Sequence, residues 1–330
     1  PICADLYIVA VPTHFDRKTK KIDPKHLIAA TKSILAVCPE EAIIVIESTV
    51  SPGTIEQHLR PLVENQTVHF AHAPERIIPG MTMFELVHND RVIGADTKEI
   101  ANIVKEVYSS FCKGTIRTTD IQTAELTKVV ENTFRDINIA YANELKKICH
   151  QMDIDVKEVI SLANCHPRVN ILNPSAGVGG HCISVDPWFL VGDHPKEAQL
   201  IAAAREINDS MPAYTWNKMS EKVDVSKKTI GIYGLAYKPD IDDVRESPSI
   251  QLLDYLKKNN LDKNVYFFDP FINKQLFKQH ILDFSRFTDM VDVILIMTPH
   301  GHLNGILPML NDKGIPVYDP FYNYPEAITV

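Results

Sequence analysis

Residues 177–189 read Gly-Val-Gly-Gly-His-Cys-Ile-Ser-Val-Asp-Pro-Trp-Phe, with three glycines ahead of Cys182 and Asp186 four residues after it. Glycines let a chain turn tightly and approach a ligand closely, and free amides near a following helix start lower a thiol's pKa and stabilise an oxyanion. A thiolate held there can add to a carbonyl, which also requires a charge stabiliser and a proton carrier. Lys128 and Asn132 stand four apart in a helix-like stretch, with Arg135 one turn further on, so the three share one face. Lys128 is suited to hold a developing alkoxide, and Asn132 to donate to an oxyanion or bind water. Cys38, Cys112 and Cys149 read instead as small buried hydrophobes.

These residues need elements to carry them. Apolar stretches at residues 5–11, 42–47, 68–71, 91–94 and 115–118 alternate with helix-like patterns at 24–37, after Pro52-Gly53, and at 97–111, which predicts a parallel α/β sheet. From Asp120 the spacing switches to threes and fours through Leu126, Val129, Val130, Phe134, Ile137, Tyr141 and Leu145, a long helix. Further helices are expected at 156–163 and 197–222, the latter bent near Pro212. Alternation resumes with strands at 229–233, 265–269, 291–297 and 317–318 and helices at 249–258, 273–278 and 302–311. The predicted fold is therefore α/β, with two Rossmann-like domains, residues 1–119 and 226–330, joined by an all-α domain, residues 120–225.

Weaker candidates follow from this frame. Ser48-Thr49 and Pro74-Glu75-Arg76 each lie at the carboxyl end of a strand, the edge where open α/β sheets bind ligands. His166 and Arg168 sit in a Pro-interrupted loop before the cysteine motif. The turn at Gly231–Gly234 can admit a phosphate, with Asp269 ending the next strand where a ribose contact would lie. His166 and His181 fit no zinc spacing, so no metal is expected.

Composition narrows the class. The 330 residues carry a formal charge of −8 and no long Lys/Arg run, which argues against nucleic acid and membrane surfaces as partners. Apolar runs are strand-sized, far short of a bilayer span. Six cysteines without a C-x-x-C pair, in a chain showing no signal peptide, predict reduced thiols and a cytoplasmic protein.

Three motifs in register, the Gly-Gly-x-Cys loop with Asp186, Glu125-Leu-Thr-Lys-Val-Val-Glu-Asn132, and Gly234-Leu-Ala-Tyr-Lys-Pro-Asp-Ile-Asp-Asp-Val-Arg-Glu-Ser-Pro248, make the chain resemble the UDP-glucose/GDP-mannose dehydrogenase superfamily over essentially its whole length. Glu75-Arg76 before Ile-Ile-Pro-Gly80, the run Asn132–Asn138 and Val185-Asp-Pro-Trp-Phe189 look most like its UDP-N-acetyl-D-mannosamine dehydrogenases, and Val185 stands where UDP-glucose enzymes usually carry Lys. UDP-N-acetylglucosamine 6-dehydrogenases share much of the pattern and remain an alternative. The resemblance implies a four-electron oxidation of a C6 alcohol by two NAD in succession, through a thiohemiacetal and a thioester on Cys182. Lys128 would stabilise oxyanions, Asn132 and Asp186 would position water, and Glu75 would serve as a base. It further implies that Arg76, Ile77, Lys128, Asn132, Arg135, His166, Arg168, Gly179, Tyr237 and Lys238 contact the UDP-N-acetylhexosamine. Thr13, Thr49 and Arg245 would lie against NAD. Family members form homo-oligomers through the long central helices, with Arg168 reaching a neighbour's site.

The family opens with strand, Gly-x-Gly-x-x-Gly, helix and an acidic residue for the adenosine ribose. None of these is in the sequence, so the N-terminal domain is expected to be incomplete in this chain, and a chain without that turn to hold NAD very weakly. Two other functions follow as alternatives: a UDP-sugar-binding remnant without redox chemistry, against which the intact Cys182, Lys128 and Asn132 speak, and a two-electron hydroxyacid dehydrogenase of similar layout, which would release one NADH per substrate.

Overall fold

Short apolar runs become strands wherever both their faces find cover. In the computed structural model, which describes residues 1–63, 66–78 and 80–330, the chain divides into two units, residues 1–133 with 186–198 and residues 134–185 with 199–330.

The first unit is built on a five-stranded sheet of order β1 (Leu6–Val9), β4 (Ala42–Ile46), β5 (Val68–His72), β6 (Arg91–Ala95) and β7 (Ile116–Thr119). Every residue of β4 is buried. Its alternation sends Ile44 and Ile46 toward Leu27 and Ile34 of α1 (Lys25–Leu35), and Ile43 and Val45 toward Ile100, Val104 and Tyr108 of α3 (Lys98–Ser109). The Thr97 hydroxyl caps α3, accepting from Ile100 N at 3.2 Å. β1, β4 and β5 run parallel. The all-parallel expectation fails at β6, which pairs antiparallel with β5. A parallel return needs a crossover helix packed on the sheet, and the seven-residue α2 (Thr82–His88) in that connection buries none of its side chains.

Two further details depart from expectation. The stretch after Pro52-Gly53 is a π-turn, Ile55–Leu59, followed by a single 3₁₀ turn, Arg60–Leu62, because Pro61 cannot donate to a continuing α-helix. Beyond Pro12 the chain forms an antiparallel hairpin of β2 (His14–Asp16) and β3 (Lys21–Asp23). This hairpin packs on α6 (Asp186–Asp193), the Lys20 ammonium lying 3.9 Å from the Trp188 ring centre.

The second unit takes the later residues of α4 (Ile121–Met152), with α5 (Val156–Ala163) and α7 (Gln199–Ser220), and a second five-stranded sheet. That sheet is parallel throughout, in the order β12 (Ile328–Thr329), β11 (Val317–Asp319), β10 (Val293–Ile296), β8 (Ile230–Tyr233), β9 (Val265–Phe268). Val293 and Leu295 enter one core with Leu252 and Leu256 of α8 (Pro248–Lys258), while Ile294 and Ile296 enter another with Leu303, Leu307 and Leu310 of α10 (Leu303–Asp312).

Three expectations are corrected in or around these cores. No helix forms at 273–278, because Phe267 N takes the Gln279 carbonyl and Ile281 N takes the Phe267 carbonyl, drawing the following chain along the β9 edge. The helix appears later as α9 (Phe284–Met290), where Asp283 caps Arg286 N at 2.7 Å. The turn after β8 offers no anion cradle either. Asp269 is buried and its carboxylate accepts from Leu235 N at 2.6 Å and Ala236 N at 2.9 Å, the amides a phosphate would use. Cys112 and Cys149 are buried, whereas Cys38 is only half-buried.

Candidate functional site

In the first unit the carboxyl ends of β1 and β4 are tied by Ser48, whose hydroxyl accepts from Val11 N at 2.8 Å and donates to Val11 O at 2.7 Å. The Thr13 hydroxyl donates to the Thr49 carbonyl at 2.8 Å, so the two threonines expected at the cofactor lie together on that edge, half-buried. Two strand ends presenting polar groups and backbone at the open rim of a parallel sheet fit a dinucleotide.

In the same unit four expected residues converge. Asn132 Nδ2 of α4 donates to Asp186 Oδ2, the first residue of α6, at 2.6 Å. Lys128 Nζ, one turn earlier, donates to the Glu75 carbonyl at 2.6 Å and lies 3.8 Å from Glu75 Oε1. Lys128, Asn132 and Asp186 are all buried, and Glu75 is about one-third exposed at 32%. Burial pushes the Asp186 carboxyl up to about 7, with the Asn132 amide and the Lys128 ammonium opposing and Glu75 adding to the rise. A carboxyl poised near neutrality next to a lysine and an amide can pass a proton or hold a water in either direction.

The cysteine loop belongs to the second unit. Gly180 sits at φ +84°, a conformation glycine adopts without strain, and its N donates to the Arg245 carbonyl at 3.0 Å. A Cβ at Gly179 would meet Tyr237 Cβ and the Glu246 carbonyl at 2.7 Å, and one at Gly180 would meet the Tyr237 ring at 2.8 Å, so only glycine seats this loop so closely. Val185 N donates to the Cys182 carbonyl at 3.0 Å, closing the turn after the half-buried cysteine. The Arg245 guanidinium pairs with Asp243 at 2.6 Å. Burial, the Asp243 carboxylate and Cys182 all raise the Tyr237 phenol, and Cys182 is among the groups raising Arg245, after Asp243. The sulfur is thus electrostatically coupled to both a phenol and a cation.

Family models match the chain in three consecutive blocks: the NAD binding domain of the UDP-glucose/GDP-mannose dehydrogenase family at residues 2–112, its central domain at 122–210 and its UDP binding domain at 231–322. A UDP-N-acetyl-D-mannosamine dehydrogenase of Methanococcus maripaludis is 44% identical over 324 residues, covering 94% of this chain and 74% of the relative. The chain belongs to the UDP-glucose/GDP-mannose dehydrogenase family. The solved UDP-D-ManNAc dehydrogenase of Pyrococcus horikoshii superposes with a TM-score of 0.89 at 34% identity, covering 98% of this chain and 79% of that one. An NDP-N-acetyl-D-galactosaminuronic acid dehydrogenase of Ralstonia solanacearum is 38% identical, covering 91% of this chain and 74% of the relative. As a dehydrogenase of this family the protein is an oxidoreductase that uses NAD.

Within this family member the other expected residues fall into two groups. Arg76 is engaged already: its Nε donates to Glu131 at 3.0 Å, a second nitrogen pairs with the same carboxylate, and Nη1 donates to the Asp90 carbonyl at 2.9 Å. Ile77 N donates to Glu75 Oε2 at 2.6 Å, which fixes the turn after β5. Arg135, His166 and Arg168 are exposed in the second unit, the last two joined by Arg168 N to His166 Nδ1 at 3.3 Å, and Lys238 is half-buried there. Residues outside the expected set also surround Lys128. His72, at the end of β5, is fully buried, and burial together with the Lys128 charge pushes its imidazole down to about 3. Glu125 is buried three residues before Lys128 on α4. A charged residue on an amphipathic helix reads from sequence as solvated face, so only its place in the Glu125–Asn132 motif marked it. Among the described residues no group of three or more His, Cys, Asp or Glu side chains could hold a metal, and no helix is long and apolar enough to cross a membrane.

Proposed function

We propose that the protein oxidises C6 of UDP-N-acetyl-D-mannosamine to the carboxylate. The observation that carries this reading is the buried Lys128–Asn132–Asp186 group with Glu75 at its edge, a set able to stabilise an oxyanion and manage a water. Relatives at 40–44% identity named for that substrate support the sugar, as does Val185 in place of Lys.

NAD, bound at the β1 and β4 edge near Thr13 and Thr49, would supply the hydride acceptor for two successive oxidations, and Arg245 is the further residue proposed for it. The Cys182 thiolate, four residues before Asp186 in the chain, adds to the C6 aldehyde, forming a C–S bond while the carbonyl oxygen becomes an alkoxide. The Lys128 ammonium stabilises that oxygen. After the second oxidation the sulfur is held as a thioester, and Asn132 and Asp186 hold the water that attacks it. Glu75 takes the water's proton, and the C–S bond breaks to return the thiolate and release the acid. Gly179, Tyr237, Lys238, Arg76, Ile77, Arg135, His166 and Arg168 contact the nucleotide sugar. Arginine forks and lysine suit a diphosphate in a protein of net charge −8.

The proposed domain boundaries at 119/120 and 225/226 draw support from the family blocks at residues 2–112, 122–210 and 231–322. A homo-oligomer through α4 is supported by Leu126, Val130, Phe134, Tyr141 and Ile148, all exposed apolar residues spaced to fall on one side of that helix. A cytoplasmic setting suits six cysteines without a disulfide.

Assaying UDP-N-acetylmannosamine beside its C2 epimer UDP-N-acetylglucosamine, by NADH absorbance, tests the substrate. Faster turnover of the mannosamine form, with two NADH per sugar, is expected. Preference for the epimer overturns the sugar assignment, and one NADH per sugar overturns the four-electron scheme.

A further inference from the structure

Glu125 has no part in the chemistry above, yet its side chain is wholly buried on α4, three residues before Lys128 and on the same side of the helix. Its Oε2 accepts from Gly53 N at 2.5 Å and its Oε1 from Ile55 N at 3.1 Å. These amides open the π-turn that follows Ser48, Thr49 and Ser51 at the cofactor edge. The first amides of a helical turn lack intrahelical acceptors, and here the acceptor reaches in from another element. Nearby, Thr54 N and Thr54 Oγ1 donate to the Ser51 carbonyl at 3.1 and 2.6 Å, and the Ser51 hydroxyl donates to Asp193 at 2.5 Å.

We infer that Glu125 is a positioning residue for the cofactor: its carboxylate pins the turn that follows Thr49 to the helix bearing Lys128 and Asn132, so that hydride acceptor and oxyanion stabiliser are held in one frame. This rests on the placement of NAD at the β1 and β4 edge. Both oxygens are needed, one for each amide, and the ionised form makes two charge-assisted bonds. A protonated carboxyl turns a donor toward one of two donors.

The charges around Glu125 come from several elements. Lys128 is on its own helix and Asp120 immediately precedes that helix, Glu56 and Arg60 are on the segment it caps, and Asp96 follows β6; Glu56, Arg60, Asp96 and Asp120 line the cavity against which Glu125 lies. Burial pushes the carboxyl up to about 7, the Ile55 and Gly53 amides oppose, and Asp120 and Glu56 add to the rise.

The test is NAD affinity by titration calorimetry at about pH 8, without sugar, on wild type and Glu125→Gln. Glu125→Gln keeps one acceptor and sets an NH₂ against the other amide, so NAD binding is expected to weaken about tenfold, as follows from losing one hydrogen bond to a charged group. UDP-sugar affinity should stay unchanged. Amide exchange across residues 50–59, compared between wild type and Glu125→Gln without cofactor, is a second readout, and protection at Gly53 and Ile55 is expected to fall in the variant. Wild-type NAD affinity in Glu125→Gln, or unchanged protection at those two amides, overturns the inference. Failure to oxidise either sugar with these results intact would instead overturn the proposed substrate.

Discussion

Asp186 shows how much of the chemistry a single environment decides. The same carboxylate on the surface would be ionised and inert, but buried against Asn132 it titrates at about 7. Its folded pKa is raised, so its favourable contribution to stability is fully present below the ordinary value of 3.8 and is lost as pH climbs through about 7. Asp186→Asn removes that loss, and the fall in denaturant midpoint between pH 4 and 7 should be shallower than in wild type, with the remaining slope from Glu125, which is raised to the same region. Parallel slopes would contradict the assignment. Lys128→Ala should slow turnover by about a hundredfold to a thousandfold, the usual effect of losing an oxyanion stabiliser, with substrate affinity changing far less. At this scale the proposed site residues stood out in the sequence because glycine, cysteine and lysine occur in spacings that helix or strand periodicity does not call for. Glu125 and His72 were not, since nothing in a sequence says that a polar residue on a helix or strand end is buried.

At the scale of elements, α6 matters most, because it delivers Asp186 and is held from outside. A Cβ on Gly192 would meet the Lys20 carbonyl of the hairpin at 2.1 Å, and Ser51 donates to Asp193 at 2.5 Å. Gly192→Ala should therefore push α6 off the hairpin, costing about 1–3 kcal/mol as overpacked sites do. Thermal melts would check the stability loss, and a matching fall in kcat with little change in NAD affinity would show that Asp186 has moved. Most elements were read correctly where periodicity and caps agreed, as in α3 with Thr97 and α8 with Ser247 and Pro248. The misses share a cause. The 273–278 segment has helix-like composition, but backbone pairing with Phe267 at the sheet edge draws the chain out of helix, and the β2–β3 hairpin depends on contacts with α6 far away in sequence. Antiparallel β6 likewise follows from an α2 too poorly anchored to act as a crossover.

For the molecule as a whole, the lysine group lies in the first unit and the cysteine loop in the second. The exposed apolar stripe on α4 should hold copies together, and Phe134→Glu, at a position 66% exposed, should shift the oligomer toward monomer in light scattering without unfolding it. The central claim, that one sulfur carries the sugar between two oxidations, is tested most directly by counting NADH and uronic acid released from UDP-N-acetylmannosamine by wild type and Cys182→Ala. Two NADH and one acid per sugar are expected from the wild type, and no sustained acid formation from Cys182→Ala; acid formed by Cys182→Ala at the wild-type rate would contradict the covalent role of the sulfur.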